Sequence, residues 1–296
     1  MKTYHDIATD GGSDVVGQVE AQSDRLAGRL AAVRRIVAVM SGKGGVGKST
    51  VAVNLAAALA HTGARVGIVD GDINGPSLGR MAGVLEAPIR RKGAGVLPAE
   101  TSAGVRVMSM DLFLADETAP VVWDAPSQTD GAAWRGLREA GALRELIADT
   151  EWGELDVLLV DLPPGSDRLP TLAGVVPRID GALVVTIPSA VSMSVVGRSV
   201  RLMQEHLHVP SVGLIENMGA YVCPHCGEAD DLFPSGSVDA LARGLGVRVV
   251  ARIPFDPAIG MAADEGRSFP QDHPERPAAK AFFNLANDVQ SMMDQL

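Results

Sequence analysis

The chain has 296 residues, of which 46% are hydrophobic and 21% are charged, and its formal net charge is -10 at pH 7. This length and hydrophobic content suffice to bury one large core, so we expect one continuous α/β domain. The acidic balance excludes a protein that coats nucleic acid or an anionic membrane by bulk electrostatics, although a local basic patch is compatible with it.

The sequence contains neither a candidate membrane span nor an export signal. The most apolar stretch, residues 182–197, is interrupted by Pro188 and followed by Arg198, so it falls short of the about 18 uncharged apolar residues that a spanning helix needs. The first 14 residues carry acidic side chains and lack the apolar segment of a secretory signal. We therefore expect a cytoplasmic protein that binds neither membrane nor nucleic acid.

Strands and helices are predicted to alternate after a short lead-in. Residues 1–34 are predicted to be a lead-in and residues 35–296 to form the domain. The lead-in begins as a polar tail, and a short amphipathic helix is predicted over 18–35. Apolar runs typical of strands buried on both faces recur at 36–40, 66–69, 105–108, 157–160, 182–187, 212–215 and 249–253. Segments of helical length and period lie at 49–61, 134–149, 192–207 and 277–293. This order predicts a doubly wound, mostly parallel sheet with helices on both faces, and residues 85–129 as a surface excursion.

A phosphate loop lies directly after the first predicted strand. The eight-residue pattern with its invariant glycines, lysine and hydroxyl residue is matched by Gly42, Lys43, Gly44, Gly45, Val46, Gly47, Lys48 and Ser49. Backbone N–H groups of the loop and of the following helix would converge on an anion, which the glycines allow to approach. We predict that Lys48 bridges the outer phosphates, Ser49 ligates magnesium and Thr50 contacts the inner phosphate.

Lys43 lies at the crown of this loop, where its side chain cannot easily fold back onto the phosphates of its own chain. Reaching across an interface instead, it would stabilise the charge that develops during phosphoryl transfer, as an arginine finger does. That role requires two copies of the chain face to face. The alternative is a solvated lysine on a glycine-rich turn, and the position alone favours neither.

Three aspartates follow apolar strands. Asp70 and Asp72 come after the second predicted strand and Asp161 after the fourth, and the segment Leu162-Pro163-Pro164-Gly165 that follows is interpreted as a switch. A lone aspartate at a strand end is usually a cap or turn residue, but three of them beside a phosphate loop favour function. We predict that Asp161 holds magnesium through water, that Asp70 supports the metal shell and that Asp72 orients the attacking water.

Cys223 and Cys226 are the only thiols in the sequence. One such pair is compatible with half of a zinc site, half of an iron-sulfur site or a redox dithiol. A site with four ligands would need a second copy of the chain, unless His225 or carboxylates contribute. A redox pair normally opens a helix in a thioredoxin-like unit, which this sequence does not predict.

The motifs SGKGGVGKST, DGDINGPS, VDLPPG, GLIENM and CPHC follow one another within residues 35–270. Together they resemble the Mrp/ApbC group of iron-sulfur cluster carrier ATPases, within the deviant Walker A class of P-loop NTPases that includes MinD, ParA and nitrogenase iron protein. The resemblance implies a homodimer that binds ATP between its subunits. It also implies a labile [4Fe-4S] cluster that two cysteines from each chain bridge, and apo iron-sulfur proteins as its recipients.

The resemblance also assigns residue roles. Position by position, it makes Lys43 the lysine that acts in trans and Asp72 the catalytic acid of the first switch. It makes Asn217 the residue that reads adenine, and Cys223 and Cys226 the cluster ligands. An amide can pair with a donor and an acceptor on adenine, although a turn-forming asparagine is the alternative.

The sequence departs from the family pattern at three places. Residues 123–126 read WDAP where WRGP is common, residues 163–168 read PPGSDR where PPGTGD is common, and Asn74 stands where an aromatic residue is frequent. These changes bear on the rate and coupling of hydrolysis more than on nucleotide binding.

A spatial organiser of the MinD/ParA type, whose dimer binds membrane or DNA, is the alternative function. The amphipathic segment 277–293 contains only one cation, Lys280, so we expect it to pack on the domain rather than on a lipid surface. The acidic composition likewise disfavours DNA. An enzyme that phosphorylates a small molecule would need an acceptor site, and the sequence identifies none.

Overall fold

The computed structural model describes residues 15–114, 131–165, 168–223, 226–233 and 238–295. The strands are β1 (Ile36–Ser41), β2 (Val66–Asp70), β3 (Arg90–Lys92), β4 (Gly95–Leu97), β5 (Ala99–Glu100), β6 (Arg106–Met108), β7 (Val157–Asp161), β8 (Gly181–Thr186), β9 (Val212–Val222), β10 (Ala229–Asp231) and β11 (Arg248–Phe255). The helices are α1 (Val15–Leu30), α2 (Lys48–His61), α3 (Leu78–Met81), α4 (Gly131–Asp149), α5 (Arg168–Ala173), α6 (Ala190–Glu205), α7 (Val238–Leu245), α8 (Pro257–Asp264), α9 (Phe269–Asp272) and α10 (Pro277–Asp294), and a 3-10 turn spans Met110–Phe113.

Nine of the described strands form one sheet in the order β10-β9-β8-β1-β7-β2-β6-β5, with β11 paired to β9. The central pairs, β1 with β7 and β8 and β2 with β7, are parallel. Antiparallel pairs occur towards the two ends, between β5 and β6 and between β9 and β10. The prediction of a doubly wound, mostly parallel sheet is therefore confirmed.

The position of β1 within this order explains where a ligand would bind. The chain leaves β1 towards β2 on one side, whereas the later crossover from β7 places β8 on the other side of β1. In open α/β sheets, the crevice at such a reversal, beyond the carboxyl ends of the strands, is where ligands bind. The phosphate loop predicted after β1 lies at this point.

Alternate residues of the central strands supply two hydrophobic cores, one on each face of the sheet. Val37 and Val39 of β1 belong to the core that α2 and α10 cover. The intervening Ala38 and Met40 belong to the opposite core, which α1 and α4 to α7 cover. Burial of both strand faces is the reason that these strands read as continuous apolar runs.

The first helix is part of this packing rather than a detached lead-in. It spans Val15–Leu30 instead of the predicted 18–35, and its Leu26 and Leu30 are buried in the same core as α4. It ends early because the chain then joins the sheet: the N–H of Arg34 donates to the carbonyl oxygen of Leu155 at 2.8 Å.

The strand β9 is much longer than predicted. It runs through Val222 instead of ending near residue 215, because its second half pairs with β11 and with β10. Cys223 therefore follows the end of a strand that begins deep in the sheet.

The C-terminal helix packs on the domain, as expected. Phe282, Leu285 and Val289 of α10 are buried in the core on the α2 face. No helix in the part of the chain that the structure describes is long and apolar enough to cross a membrane. The predicted excursion at 85–129 contains the β3–β4 hairpin and the edge strands β5 and β6, and its residues 115–129, like the tail at 1–14, lie outside the described ranges.

Candidate functional site

The phosphate loop connects the buried strand β1 to helix α2. Gly45 and Gly47 have φ angles of 78° and 80°, which favour glycine over other residues. The carbonyl of Gly47 accepts the first helical hydrogen bond, from the N–H of Val51 at 2.9 Å. The loop thus opens a 14-residue helix, whose free N–H groups and dipole favour an anion at this end.

Lys48 and Asp161 form a buried ion pair at the base of the loop. The Nζ of Lys48 donates to Oδ1 of Asp161 at 2.6 Å and lies 3.1 Å from Oγ of Ser49. The two charged side chains are only 7% and 1% exposed. Burial raises the pKa of the Asp161 carboxyl above its usual range, and the Lys48 ammonium opposes that rise.

A divalent cation fits this pair. The second carboxylate oxygen of Asp161, Oδ2, is buried and has no hydrogen-bond partner among the described residues. A buried acceptor without a donor is costly unless a ligand satisfies it. No three His, Cys, Asp or Glu side chains of the described residues converge into a metal site, but magnesium keeps several waters and uses few protein ligands.

Asp70 is a neighbour of Asp161, since the two occupy paired positions on β2 and β7. Its carboxylate accepts hydrogen bonds from the N–H groups of Asp72, Ser77 and Leu78 at 3.0, 2.9 and 3.1 Å. Burial and the nearby charge of Asp161 raise the pKa of Asp70 to about 7, although the N–H donors oppose the rise. Asp70 therefore anchors the backbone of the first switch as well as lying beside the predicted metal site.

The hydroxyl of Ser109, which the sequence did not single out, also donates to Asp70, at 3.0 Å. Ser109 follows β6, the strand next to β2, and is fully buried. No pattern in the sequence around it distinguishes this serine from others. Only the pairing of β6 with β2 brings it to the carboxylate.

Asp72 lies in a turn on the same edge of the sheet. Its Oδ1 accepts from the N–H of Gly75 at 3.2 Å, and its charge raises the pKa of Asp161. The next residue, Ile73, is buried in the core on the α4 face. The turn thus has a buried apolar anchor, which leaves the half-buried Asp72 at the rim of the site.

The second predicted switch segment lies against the phosphate loop. The N–H of Gly165 donates to the carbonyl of Ser41 at 3.0 Å, and Gly165 has a φ of 127° that only glycine adopts easily. A side chain at Gly44 would come within 3.9 Å of the Pro164 ring. The segment after Asp161 is therefore hydrogen-bonded to the end of β1 and lies beside the loop that would hold the phosphates.

Asn217 touches the phosphate loop, a contact that the sequence did not predict. Its Nδ2 donates to the carbonyl oxygen of Val46 at 2.8 Å. A Cβ atom on Gly47 would lie 2.4 Å from the same nitrogen, so only glycine leaves room for this amide. Met218, the next residue, has a left-handed φ of 55°. The role of Asn217 in reading adenine stays a prediction.

Lys43 and the two cysteines lie apart from this buried cluster. Lys43 is exposed at the crown of the loop, as the sequence predicted from its position. Cys223 is half-buried, Cys226 is exposed, and they form no disulfide with each other. The N–H of Cys223 donates to the carbonyl of Glu228 and the N–H of Gly227 to the carbonyl of Cys223, both at 2.9 Å, which closes a tight turn around the pair.

The structure therefore brings together most of the predicted nucleotide-site residues. Lys48, Ser49, Asp70, Asp72 and Asp161 meet at the carboxyl edge of the sheet. Lys43 and Cys226 are exposed and Cys223 is half-buried, apart from this cluster.

Known proteins resemble this chain over most of its length. A family model described as "ParA: NUBPL iron-transfer P-loop NTPase" matches residues 32–290. The iron-sulfur cluster carrier protein of Methanococcus maripaludis is 38% identical over 278 residues, which cover 94% of this chain and 91% of that protein. The cytosolic Fe-S cluster assembly factor NUBP2 of Bos taurus is 38% identical over 269 residues, covering 89% of this chain and 95% of that protein.

Solved structures resemble the chain as well. A nucleotide-binding protein from Archaeoglobus fulgidus in complex with ADP is similar with a TM-score of 0.72 and 33% identity, covering 88% of this chain and 96% of that one. The cell division ATPase MinD of Pyrococcus furiosus, at a TM-score of 0.59 and 24% identity over 87% of this chain and 99% of its own, shares the fold. The resemblance to iron-sulfur cluster carriers is thereby confirmed, and the chain belongs to the ParA/NUBPL family of iron-transfer P-loop NTPases.

Proposed function

We propose that this protein is an ATP-hydrolysing carrier of iron-sulfur clusters that works as a homodimer. The observation that carries the proposal is the course of β9. This strand contacts the phosphate loop through Asn217 and leads six residues later to Cys223, so one strand joins the nucleotide site to the only thiols of the chain.

The nucleotide half of the proposal rests on the buried cluster below the phosphate loop. Loop N–H groups and Lys48 hold the phosphates of ATP, while Ser49 and Asp161 hold magnesium, with Asp70 supporting them. Bound there, magnesium would neutralise charge on the phosphates. The unpartnered Oδ2 of Asp161 supports this arrangement because a cation would satisfy it.

Hydrolysis is assigned to Asp72. Its carboxylate orients a water molecule for attack on the terminal phosphorus, so that a bond forms from the water oxygen to phosphorus and the bond from phosphorus to the bridging oxygen breaks. The products are ADP and phosphate. Lys43 of the partner subunit supplies positive charge to the bridging oxygen, which requires the face-to-face dimer.

The group that the protein carries is a [4Fe-4S] cluster. A [4Fe-4S] cluster takes four thiolates, and one chain offers two, Cys223 and Cys226. Two chains together supply four; of the pair in each chain, Cys226 is exposed and Cys223 is half-buried. Apo iron-sulfur proteins are the proposed recipients. The fold alone is shared with MinD, but the cysteine pair favours a carrier over a spatial organiser.

We place the protein in the cytoplasm. The bovine relative is named as a cytosolic assembly factor. Neither a membrane nor a nucleic acid is a proposed partner, since the overall charge of the chain is negative.

Anaerobic reconstitution with iron and sulfide tests the carrier proposal. We expect about four irons per dimer and a visible iron-sulfur absorbance. Cys223→Ala with Cys226→Ala should abolish both signals. Met261, an exposed thioether that lines the same surface cavity as Cys223, gives the matched control, and Met261→Leu should bind iron as the wild type does. Wild-type protein that binds no iron under these conditions would refute the proposal.

A further inference from the structure

Glu139 joins the segment around Asn74 to the segment that begins at Arg168. It lies on helix α4, and its side chain is 15% exposed. Its Oε1 accepts a hydrogen bond from Nδ2 of Asn74 at 2.6 Å, and its Oε2 accepts one from a terminal nitrogen of Arg168 at 3.0 Å. One carboxylate therefore uses both oxygens to hold two residues that are far apart in sequence.

One partner of Glu139 lies in the first switch turn and the other lies shortly after the second predicted switch segment. Asn74 lies two residues after Asp72, in the turn that Asp72 closes on Gly75. Arg168 begins helix α5, three residues after Gly165, whose N–H is bonded to β1. These are also two of the places at which the sequence departs from the family pattern. The two departures thus meet at one side chain.

The three segments share one rigid base. Ile73, beside Asn74, and Leu169, beside Arg168, are buried in the core on the α4 face. Leu143 and Ile147 of α4 belong to the same core. Side chains in a close-packed core have little freedom to shift. Helix α4, which carries Glu139, and the two segments that Glu139 contacts are therefore held in fixed positions by the same core.

Both hydrogen bonds of Glu139 involve a charged acceptor and are stronger than hydrogen bonds between neutral groups. The contact to Arg168 is charge-assisted, and the Arg168 side chain is 32% exposed, so that solvent screens the pair less than an open surface pair. The contact to Asn74 is a short bond from an amide donor to an ionised acceptor.

We propose that Glu139 is a positioning residue for ATP hydrolysis, which holds the turn of Asp72 and the start of α5 in one fixed relationship. It acts through Asn74, its hydrogen-bond partner, on Asp72 two positions earlier in the same turn. The inference rests on the ATPase activity proposed above. The proposal also gives a function to Asn74, which stands where an aromatic residue is frequent in the family: its amide donates a hydrogen bond to the Glu139 carboxylate.

Turnover and nucleotide affinity separate this role from a purely structural one. Glu139→Ala should lower kcat about tenfold or more, because a small misplacement of a catalytic group costs that much, while the Kd for ATP changes less than about twofold. Glu139→Gln keeps an acceptor for Asn74 but loses the charge that faces Arg168, and we expect an intermediate kcat. Glu145→Ala, which removes an exposed glutamate of the same helix, is the matched control and should leave both constants unchanged.

A double-mutant cycle tests whether Asn74 acts through Glu139. Asn74→Ala alone should lower kcat, whereas Asn74→Ala added to Glu139→Ala should have little further effect, since both remove one contact. Additive losses would overturn the proposal. So would an unchanged or increased kcat in Glu139→Ala.

A second readout does not depend on activity. Hydrogen exchange in Glu139→Ala should become faster in two peptides together, one covering residues 72–80 and one covering 168–176, and should stay at the wild-type rate in both for Glu145→Ala. Faster exchange in only one of them, or in neither, would overturn the proposal. If the wild type hydrolyses no ATP, the ATPase proposal fails, and this exchange experiment still decides whether Glu139 couples the two segments. If Glu139→Ala does not fold, Glu139→Gln replaces it in both measurements. Because this variant keeps the acceptor for Asn74 and loses only the charge that faces Arg168, its exchange should be faster at 168–176 alone, and a wild-type rate at 168–176 would overturn the proposal.

Discussion

The side-chain amide of Asn217 donates a hydrogen bond to the main-chain oxygen of Val46 across 2.8 Å, which ties strand β9 to the phosphate loop. The same nitrogen fills the space that a side chain at Gly47 would need. The loop is therefore supported from the strand that ends at the cysteine pair. Through this hydrogen bond, a change in the loop on binding phosphate would act directly on β9.

Removal of the Asn217 amide should weaken nucleotide binding. Asn217→Ala leaves the carbonyl of Val46 without this donor, at a cost of about 1–3 kcal/mol, and we expect the Kd for ADP to rise about tenfold. Isothermal titration calorimetry measures the effect. Asn287→Ala, which removes an exposed asparagine of α10, is the control and should bind as the wild type does. Equal affinity of the two variants would contradict a supporting role for Asn217.

The buried pair of Lys48 and Asp161 should influence stability and binding in different ways. Lys48→Ala leaves a buried carboxylate unpaired, so we expect a loss of about 3 kcal/mol in the free energy of unfolding together with loss of nucleotide binding. In the double variant Lys48→Met with Asp161→Leu no charge is left buried, and most of the stability should return while binding stays absent. Urea unfolding and nucleotide titration measure the two effects. A double variant no more stable than Lys48→Ala would contradict the explanation.

Asp70 and Asp72 should separate into an anchoring and a catalytic residue. Asp70→Ala removes the acceptor of three main-chain N–H groups and a hydroxyl, so the free energy of unfolding should fall by about 2–4 kcal/mol. Asp72→Ala should keep its stability within about 1 kcal/mol, still bind nucleotide and lose turnover. Thermal unfolding and phosphate release distinguish the two. A stable Asp70→Ala variant would show that the four donors do not depend on this carboxylate.

The pair of Asp156 and Arg65 at the opposite edge of the sheet predicts an acid-dependent loss of stability. Hydrogen bonds from Arg65 lower the pKa of Asp156 from 3.8 to about 2 in the folded protein. A carboxyl whose pKa is depressed by folding stabilises the protein above its unfolded pKa, and this contribution is lost as the pH falls towards the folded value. Asp156→Asn should therefore cost about 1 kcal/mol at pH 7, given the partial exposure of the pair.

The difference between Asp156→Asn and the wild type should shrink as the pH falls from about 4 towards 2. Denaturant unfolding at several pH values measures it. Glu154 also contacts Arg65 but is 76% exposed, so Glu154→Gln should change stability little at any pH and serves as the control. A difference that stays constant down to pH 2 would mean that Asp156 does not stabilise through its charge.

The sequence predicted the sheet and the phosphate site for a physical reason. Strands such as 36–40 and 157–160 are buried on both faces, so their apolar runs mark them directly. Parallel strands bring their carboxyl ends to one edge, so Asp161 at the end of β7 is expected near Lys48, which follows β1, and the two side chains are in contact.

The contacts of Asn217 and Glu139 could not be predicted in the same way. The bond from Asn217 to Val46 spans 171 positions, and Glu139 meets Asn74 and Arg168 across 65 and 29. Each depends on the side-chain positions of elements that meet only in the folded chain. The extension of β9 to Val222 was missed because pairing with β10 and β11, rather than apolar sequence, sustains it.

The central claim is that two chains hold one cluster between their cysteine pairs, and native mass spectrometry under anaerobic conditions tests it most directly. Wild-type chains and chains with Cys223→Ala and Cys226→Ala, distinguished by an isotope label, are mixed, allowed to exchange and reconstituted with iron and sulfide. We predict that the mass of one four-iron cluster is found on wild-type dimers and is absent from mixed dimers and variant dimers. A four-iron cluster on wild-type monomers or on mixed dimers would contradict the claim.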